Sequence, residues 1–418
     1  MELTVKYGAT TQGVELADER VLDVAKVPSG PAIADLPAAL EQAFARPVGP
    51  ALEEAVKPGD RVLVITVDAT RPNPSGLLWP LMERLEGLGA RPEIMIGLGN
   101  HRKMTDQALD DFLGTHDVHQ NDSRSPDQWP LGRTPHGVPV EVSPILREFD
   151  RRIAVGFIEP HYIAGFSGGR KMILPAVSSN RSITYNHFLT ARYGTQLGKL
   201  DGNEIHQDME AIALRVGVDF ILNAVLNPDD SLAGLYCGDL VAAHRAGVTA
   251  AEGLYVHEVG RPADIVITSP GGAPYDVDMV QAKKALVPAL EAVKPGGVAI
   301  LLGECPGGWG AFEADMELLR PETALDKREL IRRELESDSL ERGWAPCSPG
   351  MLFCHAHFDR RVRVIAVTGS AEMLAGTYIT HADHLTTALL MATEMVGPDA
   401  TVAVLPEGRR TICRKAGG

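Results

Sequence analysis

Short β-rich runs alternate with helical stretches along most of the chain, and this alternation limits the possible folds more than any other feature. The predicted strands cover residues 61–67, 92–98, 153–157, 220–225, 265–268, 297–302 and 362–367. The predicted helices cover residues 37–55, 77–87, 106–112, 205–215, 280–292, 325–336 and 385–395. Such alternation is typical of an α/β fold with largely parallel sheets.

The length of 418 residues indicates two domains, because a domain usually has roughly 100 to 200 residues. A turn-rich stretch, 257–263, precedes a new strand and a Ser-Pro-Gly-Gly turn that opens a second α/β unit. We predict an N-terminal α/β domain over residues 1–260 and a C-terminal α/β domain over residues 261–418. Polar motifs fall on both sides of this boundary, which predicts an active-site cleft between the domains.

Composition excludes several classes of protein. The chain has 40 Lys and Arg against 55 Asp and Glu, a net charge of -15, so a general surface for nucleic acid or an anionic membrane is not expected. The longest apolar runs, such as 297–303, are far shorter than the ~18 residues of a membrane span. Five cysteines without a CxxC motif, and an N-terminus without a signal-peptide pattern, predict reduced thiols in a cytoplasmic protein.

The segment 156–187 carries the strongest signal for a binding site. A strand runs into Glu159 and His161, and a glycine-rich loop, GFSGGRK, then ends at Lys171. Glycines let backbone N–H groups approach an anion closely, and the two basic residues add charge, so the loop suits a phosphate. It is not a P-loop, because Met172 follows the lysine. The alternative is a glycine turn with a solvated basic pair.

Two other predicted strands end in polar residues. Asp68, Thr70 and Arg71 follow one strand, and His101 follows the next. Ligands of parallel sheets bind beyond the carboxyl ends of strands, which is where both groups fall. The alternatives are an Asx turn with a surface arginine and a structural loop histidine. Gly97-Leu98-Gly99 lacks the third glycine of a dinucleotide-binding loop.

In the second half of the chain, Gln281 and Lys284 are three residues apart and share one face of a helix, although most such lysines are simply solvated. A zinc site is also suggested by spacing alone, and its candidate ligands are Cys354, His355, His357, Asp359, His381 and His384. No partner cluster completes a set of four ligands, so zinc is disfavoured.

Taken together, five motifs resemble the LarA family, which comprises the nickel-dependent lactate racemases and their relatives. The motifs are Asp68-x-Thr70-Arg71-Pro, Gly99-x-His101-Arg, Glu159-Pro-His161 with the loop to Lys171, His187 sixteen residues after Lys171, and Gln281-x-x-Lys284. Their order and spacing match over roughly residues 60–290. The resemblance implies a two-domain α/β isomerase, a racemase or epimerase of 2-hydroxy acids, with its active site between the domains.

The resemblance also implies a cofactor. Family members carry a nickel-pincer nucleotide, a pyridinium-3,5-bisthiocarboxylic acid mononucleotide that grips nickel and is made by separate cofactor-assembly enzymes. By position Lys171 is the covalent attachment point and His187 is a nickel ligand, and one imidazole with sulfur and carbon donors suits square-planar nickel. The remaining cofactor-binding residues implied are Asp68, Thr70, Ser167, Gly168, Gly169 and Arg170.

The implied reaction is reversible hydride transfer from C2 of the substrate to this cofactor. The resemblance makes His101 and His161 the acid/base pair, one for each hand of the substrate, and histidine titrates near neutral pH. Arg71, Gln281 and Lys284 are then the substrate-binding residues, since arginine can grip a carboxylate through two hydrogen bonds.

Departures from the family pattern bear on the substrate. Val280 replaces the tyrosine of the lactate enzyme, and Ala176 replaces an expected glycine. The smaller valine predicts a 2-hydroxy acid larger than lactate. Two other functions stay open: a nicotinamide-dependent 2-hydroxyacid dehydrogenase, against which the missing GxGxxG motif counts, and a non-catalytic cofactor-binding paralogue, against which the two histidines count.

Overall fold

Two six-stranded sheets organise the chain in a computed structural model that describes residues 1–194, 196–310, 319–320 and 349–416. The strands are β1 (Glu2–Tyr7), β2 (Thr10–Glu15), β3 (Val21–Val24), β4 (Arg61–Thr66), β5 (Arg91–Ile96), β6 (His119–Gln120), β7 (Trp129–Arg133), β8 (Pro139–Val142), β9 (Arg151–Ile158), β10 (Pro160–His161), β11 (Gly165–Phe166), β12 (Phe220–Leu226), β13 (Leu232–Gly238), β14 (Val256–Val259), β15 (Ala263–Thr268), β16 (Val293–Leu302), β17 (Arg363–Val367), β18 (Thr380–Ala382), β19 (Val402–Leu405) and β20 (Ile412–Lys415). The helices are α1 (Leu36–Ala45), α2 (Leu52–Ala55), α3 (Ser75–Gly87), α4 (Asp106–Leu113), α5 (Asn180–Tyr193), α6 (Glu204–Val216), α7 (Ala242–Tyr255), α8 (Met279–Ala282), α9 (Leu286–Ala292), α10 (Pro349–Cys354) and α11 (Leu385–Val396).

The sheets confirm the predicted fold class. The first has the order β13-β12-β9-β4-β5-β6, and its pairs are parallel except for the antiparallel edge strand β13. The second has the order β18-β17-β16-β15-β19-β3, with parallel pairing throughout. Central strands such as β4 are buried on both faces, as expected for parallel strands covered by helices.

The N-terminal segment crosses to the second sheet. Strand β3 pairs with β19, and Val5 and Val14 of the β1–β2 hairpin pack in the core with Ile265 and other residues of that sheet. The first sheet lies within residues 1–260, and five strands of the second lie within residues 261–418. The division into domains at residue 260 remains a proposal.

Helix bounds differ from the prediction at two places. The predicted helix 37–55 is wrong over residues 46–51, where α1 ends and α2 begins, because Pro47 and Pro50 cannot donate the helical N–H bond. The predicted helix 280–292 is divided into α8, a 3₁₀ turn at Lys283–Ala285 and α9. The predicted helix 325–336 lies outside the described residues.

The carboxyl ends of the two sheets meet. Glu159, just after β9 of the first sheet, forms ion pairs with Arg409 and Arg410, which follow β19 of the second. This junction lies at the edge of both sheets where parallel strands present ligand-binding loops.

The structure also bears on the cysteines and on the possibility of a membrane-spanning helix. Cys237, Cys305, Cys354 and Cys413 are free thiols, and Cys347 lies outside the described residues. Among the described helices, none combines the length and the apolar character that crossing a bilayer would take.

Candidate active site

Asp68 and His101 form a hydrogen-bonded pair at the ends of β4 and β5. Asp68 Oδ2 lies 2.6 Å from His101 Nδ1, and Asp68 Oδ1 accepts hydrogen bonds from the amide and the hydroxyl of Thr70, at 3.1 and 2.5 Å. Arg71 is held beside them, because its Nη1 donates to the carbonyl and the hydroxyl of Thr70. Asp68 is buried, whereas the His101 side chain is 43% exposed.

The carboxylate of Asp68 stays ionised in this setting. Burial alone would raise its pKa, but the hydrogen bond with His101 and the charges of His101 and Arg71 outweigh burial and lower the pKa to about 2. An ionised partner on Nδ1 orients the imidazole. Asp68 is therefore placed as the positioning residue for His101.

A stability prediction follows for Asp68→Asn. Because the folded-state pKa lies below the unfolded value of about 3.9, ionised Asp68 stabilises the fold above pH ~4, and this contribution is lost as the pH falls towards ~2. Between pH ~4 and pH ~2 the wild type should lose about 2 kcal/mol more of its free energy of unfolding than the variant loses. Urea unfolding at several acidic pH values measures it, with Asp399→Asn, an exposed carboxylate, as the control. Identical pH profiles for wild type and Asp68→Asn would contradict the prediction.

His161 and Lys171 meet in the loop region after β9. His161 Nδ1 accepts hydrogen bonds from the amides of Ile163 and Ala164, both at 3.2 Å. Nε2 of the same ring lies 2.9 Å from Lys171 Nζ. Burial, followed by the charges of Lys171 and Lys284, lowers the pKa of His161 well below its usual value, which keeps the ring neutral.

The glycine-rich loop is fixed by its own polar groups. The hydroxyl of Ser167 donates to the carbonyl of Phe157 at 2.7 Å, and the amide of Gly169 donates to Asn223 Oδ1 of β12 at 2.8 Å. Gly168 has a φ of +79°, and a Cβ there would lie 2.8 Å from the same Asn223 oxygen. Only glycine fits this turn, which places Lys171 at its end.

Arg170 is turned into the loop that precedes it. Its side chain is buried, and it donates to the carbonyls of Ala164 and Phe166 at 2.6 and 2.9 Å. Its Nη1 also lies 2.8 Å from Nε2 of the buried His244. The guanidinium thus stabilises the conformation of the loop through hydrogen bonds to its backbone carbonyls.

His187, on α5, has a polar atom without a partner. Its Nδ1 is buried and has no hydrogen-bond partner among the described residues. Burial and the charges of Lys171 and Lys283 lower the pKa of His187 to about 3, so the imidazole is neutral at physiological pH. A neutral ring nitrogen with a free lone pair is the form that binds a transition metal.

Among the described residues, no cluster of three or more His, Cys, Asp or Glu could hold an ion.

The second half of the chain brings further cations to the site. Lys284 Nζ donates to Gln281 Oε1, so the two predicted substrate residues contact each other. Burial and then the charge of Arg71 lower the pKa of Lys284 well below its usual value, which places Arg71 and Lys284 in one electrostatic environment. The adjacent Lys283 is buried, and its Nζ donates to the hydroxyl of Tyr162 at 3.1 Å.

Sequence reasoning missed the ionic cluster behind His161. Glu159 is buried and accepts hydrogen bonds from Arg409 Nη1 and Arg410 Nε, both at 2.9 Å. Burial would raise the pKa of Glu159, but the two arginines outweigh it and lower the pKa below its ordinary range. Both arginines follow strand β19, which was not among the predicted strands, so the strand-end rule did not select them.

Comparison with known proteins adds an independent line. A family model described as the lactate racemase N-terminal domain matches residues 7–198, and one described as the lactate racemase C-terminal domain matches residues 259–413. The lactate racemase of Thermoanaerobacterium thermosaccharolyticum is 31% identical over 435 residues, 99% of each chain. That of Lactiplantibacillus plantarum is 29% identical over 400 residues, 90% of each chain.

Solved structures agree with the fold. The lactate racemase apoprotein of T. thermosaccharolyticum superposes with a TM-score of 0.87 at 29% identity, covering 99% of this chain and 100% of that one. A protein of Thermotoga maritima superposes with a TM-score of 0.68 at 16% identity, covering 91% of this chain and 98% of that one. At that identity the second likeness concerns the fold alone.

Proposed function

The chain belongs to the lactate racemase family, and on that premise we propose that it is a nickel-dependent racemase or epimerase of 2-hydroxy acids. The family is one of isomerases, which argues against a nicotinamide-dependent dehydrogenase. When bound, the nickel-pincer nucleotide supplies a centre that takes hydride from C2 of the substrate and returns it to either face. A 2-hydroxy acid as substrate, separate cofactor-assembly enzymes as partners and a cytoplasmic location are parts of this proposal.

The observation that carries the proposal is the buried Nδ1 of His187, which has no hydrogen-bond partner among the described residues. The charge of Lys171 contributes to the lowered pKa of His187. A neutral imidazole lone pair suits a nickel ligand, and a buried lysine at the end of a rigid glycine turn suits a covalent tether. We propose that Lys171 attaches the nucleotide and His187 ligates its nickel.

The rest of the loop would line the nucleotide. Ser167, Gly168 and Gly169 set the backbone path, and Arg170 holds that path from behind through carbonyls of the same loop. Asp68 and Thr70 are proposed to contact the cofactor as well. The Asp68 carboxylate also orients His101.

The two histidines are proposed to move the hydroxyl proton of the substrate. The ionised Asp68 carboxylate contacts Nδ1 of His101, whereas burial keeps His161 neutral. The two imidazoles are proposed to work as a pair, because interconversion of two enantiomers needs one group that donates a proton and one that accepts it.

The tether would also tune His161. Lys171 is one of the charges that lower the pKa of His161, and a lysine nitrogen joined to a thiocarbonyl carries no charge. Attachment should therefore raise the pKa of His161 towards neutrality, where a histidine base works best. Arg71 and Lys284 are proposed to hold the carboxylate, with Gln281 hydrogen-bonded to Lys284 completing the pocket.

The function is tested by the loss of optical purity of enantiopure 2-hydroxy acids incubated with cofactor-loaded enzyme. Val280 on α8 is half-buried, and a valine leaves space beside C3 that a tyrosine would fill. We expect an acid larger than lactate to have the highest kcat/KM, by a factor that corresponds to ~1–3 kcal/mol per methylene-sized contact. Val280→Tyr is the matched variant and should shift preference back towards lactate.

Two outcomes of that panel would contradict the proposal at different levels. The highest kcat/KM for lactate would refute the interpretation of Val280 while leaving the racemase function intact. No racemisation of any acid by protein that carries nickel and the nucleotide would refute the function and favour a non-catalytic, cofactor-binding role.

A further inference from the structure

The guanidinium of Arg409 has one edge that binds nothing among the described residues. Its side chain is 9% exposed, its Nη1 donates to Glu159 Oε2 at 2.9 Å, and its plane lies over the ring of Tyr275, with Cζ 3.6 Å from the centroid. The Nε and Nη2 atoms are both buried without a hydrogen-bond partner among the described residues.

This unpartnered edge has a definite chemical preference. The Nε–H and Nη2–H bonds of arginine are parallel donors, a fork that matches two oxygens of a carboxylate or phosphate. Buried charged donors are costly to leave unpaired, and native proteins rarely do so without a functional reason. The edge therefore calls for an oxyanion.

The neighbouring Arg410 shows that an arginine at the junction of the two sheets can have all of its nitrogens hydrogen-bonded. Arg410 Nε donates to Glu159, its Nη1 donates to the carbonyls of Asn227 and Pro228, and its Nη2 donates to Asp230. Every nitrogen of Arg410 is thus used to join the two halves of the chain. Arg409 contacts the same carboxylate, but its Nε and Nη2 have no hydrogen-bond partner among the described residues.

The free edge belongs to the same site as the residues discussed above. Glu159, the partner of Arg409, is two residues before His161. Arg71 and Arg409 are the leading charges that, after burial, lower the pKa of Lys284, so the three side chains share one electropositive environment. Such an environment favours a bound oxyanion.

We propose that Arg409 is a further binding residue of this cleft and that its Nε–Nη2 edge takes an oxyanion of a bound small molecule, a carboxylate or a phosphate. The proposal rests on the proposed function, because that function names the two molecules that could supply the oxyanion. One is a second carboxylate on the 2-hydroxy acid, and the other is the phosphate of the nucleotide.

The test uses full-length protein without cofactor, so that it does not depend on turnover. Isothermal titration calorimetry measures binding of inorganic phosphate, of 2-hydroxybutanedioate and of lactate, which carries only the carboxylate assigned to Arg71 and Lys284. The variant is Arg409→Lys, which keeps a cation for Glu159 but removes the fork. Arg414→Lys, at an exposed ion pair with Glu252 in the same C-terminal segment, is the control.

We expect the affinity for phosphate or for the dicarboxylate to fall about tenfold or more in Arg409→Lys, with lactate binding and the control unchanged. Loss of the dicarboxylate alone assigns the edge to the substrate, and loss of phosphate alone assigns it to the nucleotide. Unchanged affinities, an equal loss for all three probes, or no binding of phosphate and dicarboxylate by the wild type would overturn the proposal. Racemisation by loaded wild-type enzyme is scored separately, so either idea can fail alone.

Discussion

Lys171→Ala protein, produced together with the cofactor-assembly enzymes, is expected to lack the mass of the nucleotide entirely and to show no racemase activity. Lys171 is buried at the end of a turn that only glycine can form, and its Nζ faces His161 at 2.9 Å. A covalent bond that needs this amine cannot form without it. Intact-mass spectrometry and nickel analysis of the purified protein measure both losses.

The matched control for this experiment is Lys199→Ala, which removes an exposed lysine from the same half of the chain. It should keep the adduct and the nickel. An adduct of unchanged mass on Lys171→Ala would show that another residue is the attachment point. Unfolding midpoints of the cofactor-free variants show whether either substitution disturbs the fold itself.

Replacement of either histidine of the proposed acid/base pair should suppress interconversion in both directions. Such groups typically contribute ~10²–10⁴ in rate, and one enantiomer's base is the other's acid. We expect His101→Ala and His161→Ala each to lose activity on this scale while His101→Ala retains nickel. His116→Ala, an exposed histidine beside Asp110, is the control.

The measurement is the initial rate of loss of optical purity from each enantiomer, normalised to nickel content. His101→Ala with full nickel and near-normal rates would exclude its role as a proton donor or acceptor. Asp68→Asn should lie between wild type and His101→Ala, because Asp68 acts through the imidazole that it orients at 2.6 Å.

Strand runs and their polar ends were predictable from local sequence. Strand β4 lies at Arg61–Thr66 against a predicted 61–67, and β12 at Phe220–Leu226 against 220–225. The hydrophobic run alone marks such strands, since both faces of a parallel sheet are buried. The break between α1 and α2 was missed although Pro47 and Pro50 signal it, because the flanking residues favour a helix.

Some helices and all long-range strand pairings were not predictable in this way. Helix α5 carries His187, yet its sequence is polar and no helix was predicted there. Strand β3 contacts β19 across almost the whole length of the chain, and no local pattern specifies such a pairing. The antiparallel edge strand β13 and helix α7 were likewise found only in the structure.

The sequence by itself determined the α/β class, the family and the spacing of the residues proposed for the site. Hydrophobic runs, turns and motif spacing are local properties, so the order of residues along the chain is sufficient to state them. Only the tertiary structure decided that His161 faces Lys171 and that Arg170 turns into its own loop. It also decided that two donors of Arg409 have no partner among the described residues. These depend on burial and on partners brought from distant parts of the chain, and hydrogen-bond direction and pKa follow from that surrounding rather than from residue type.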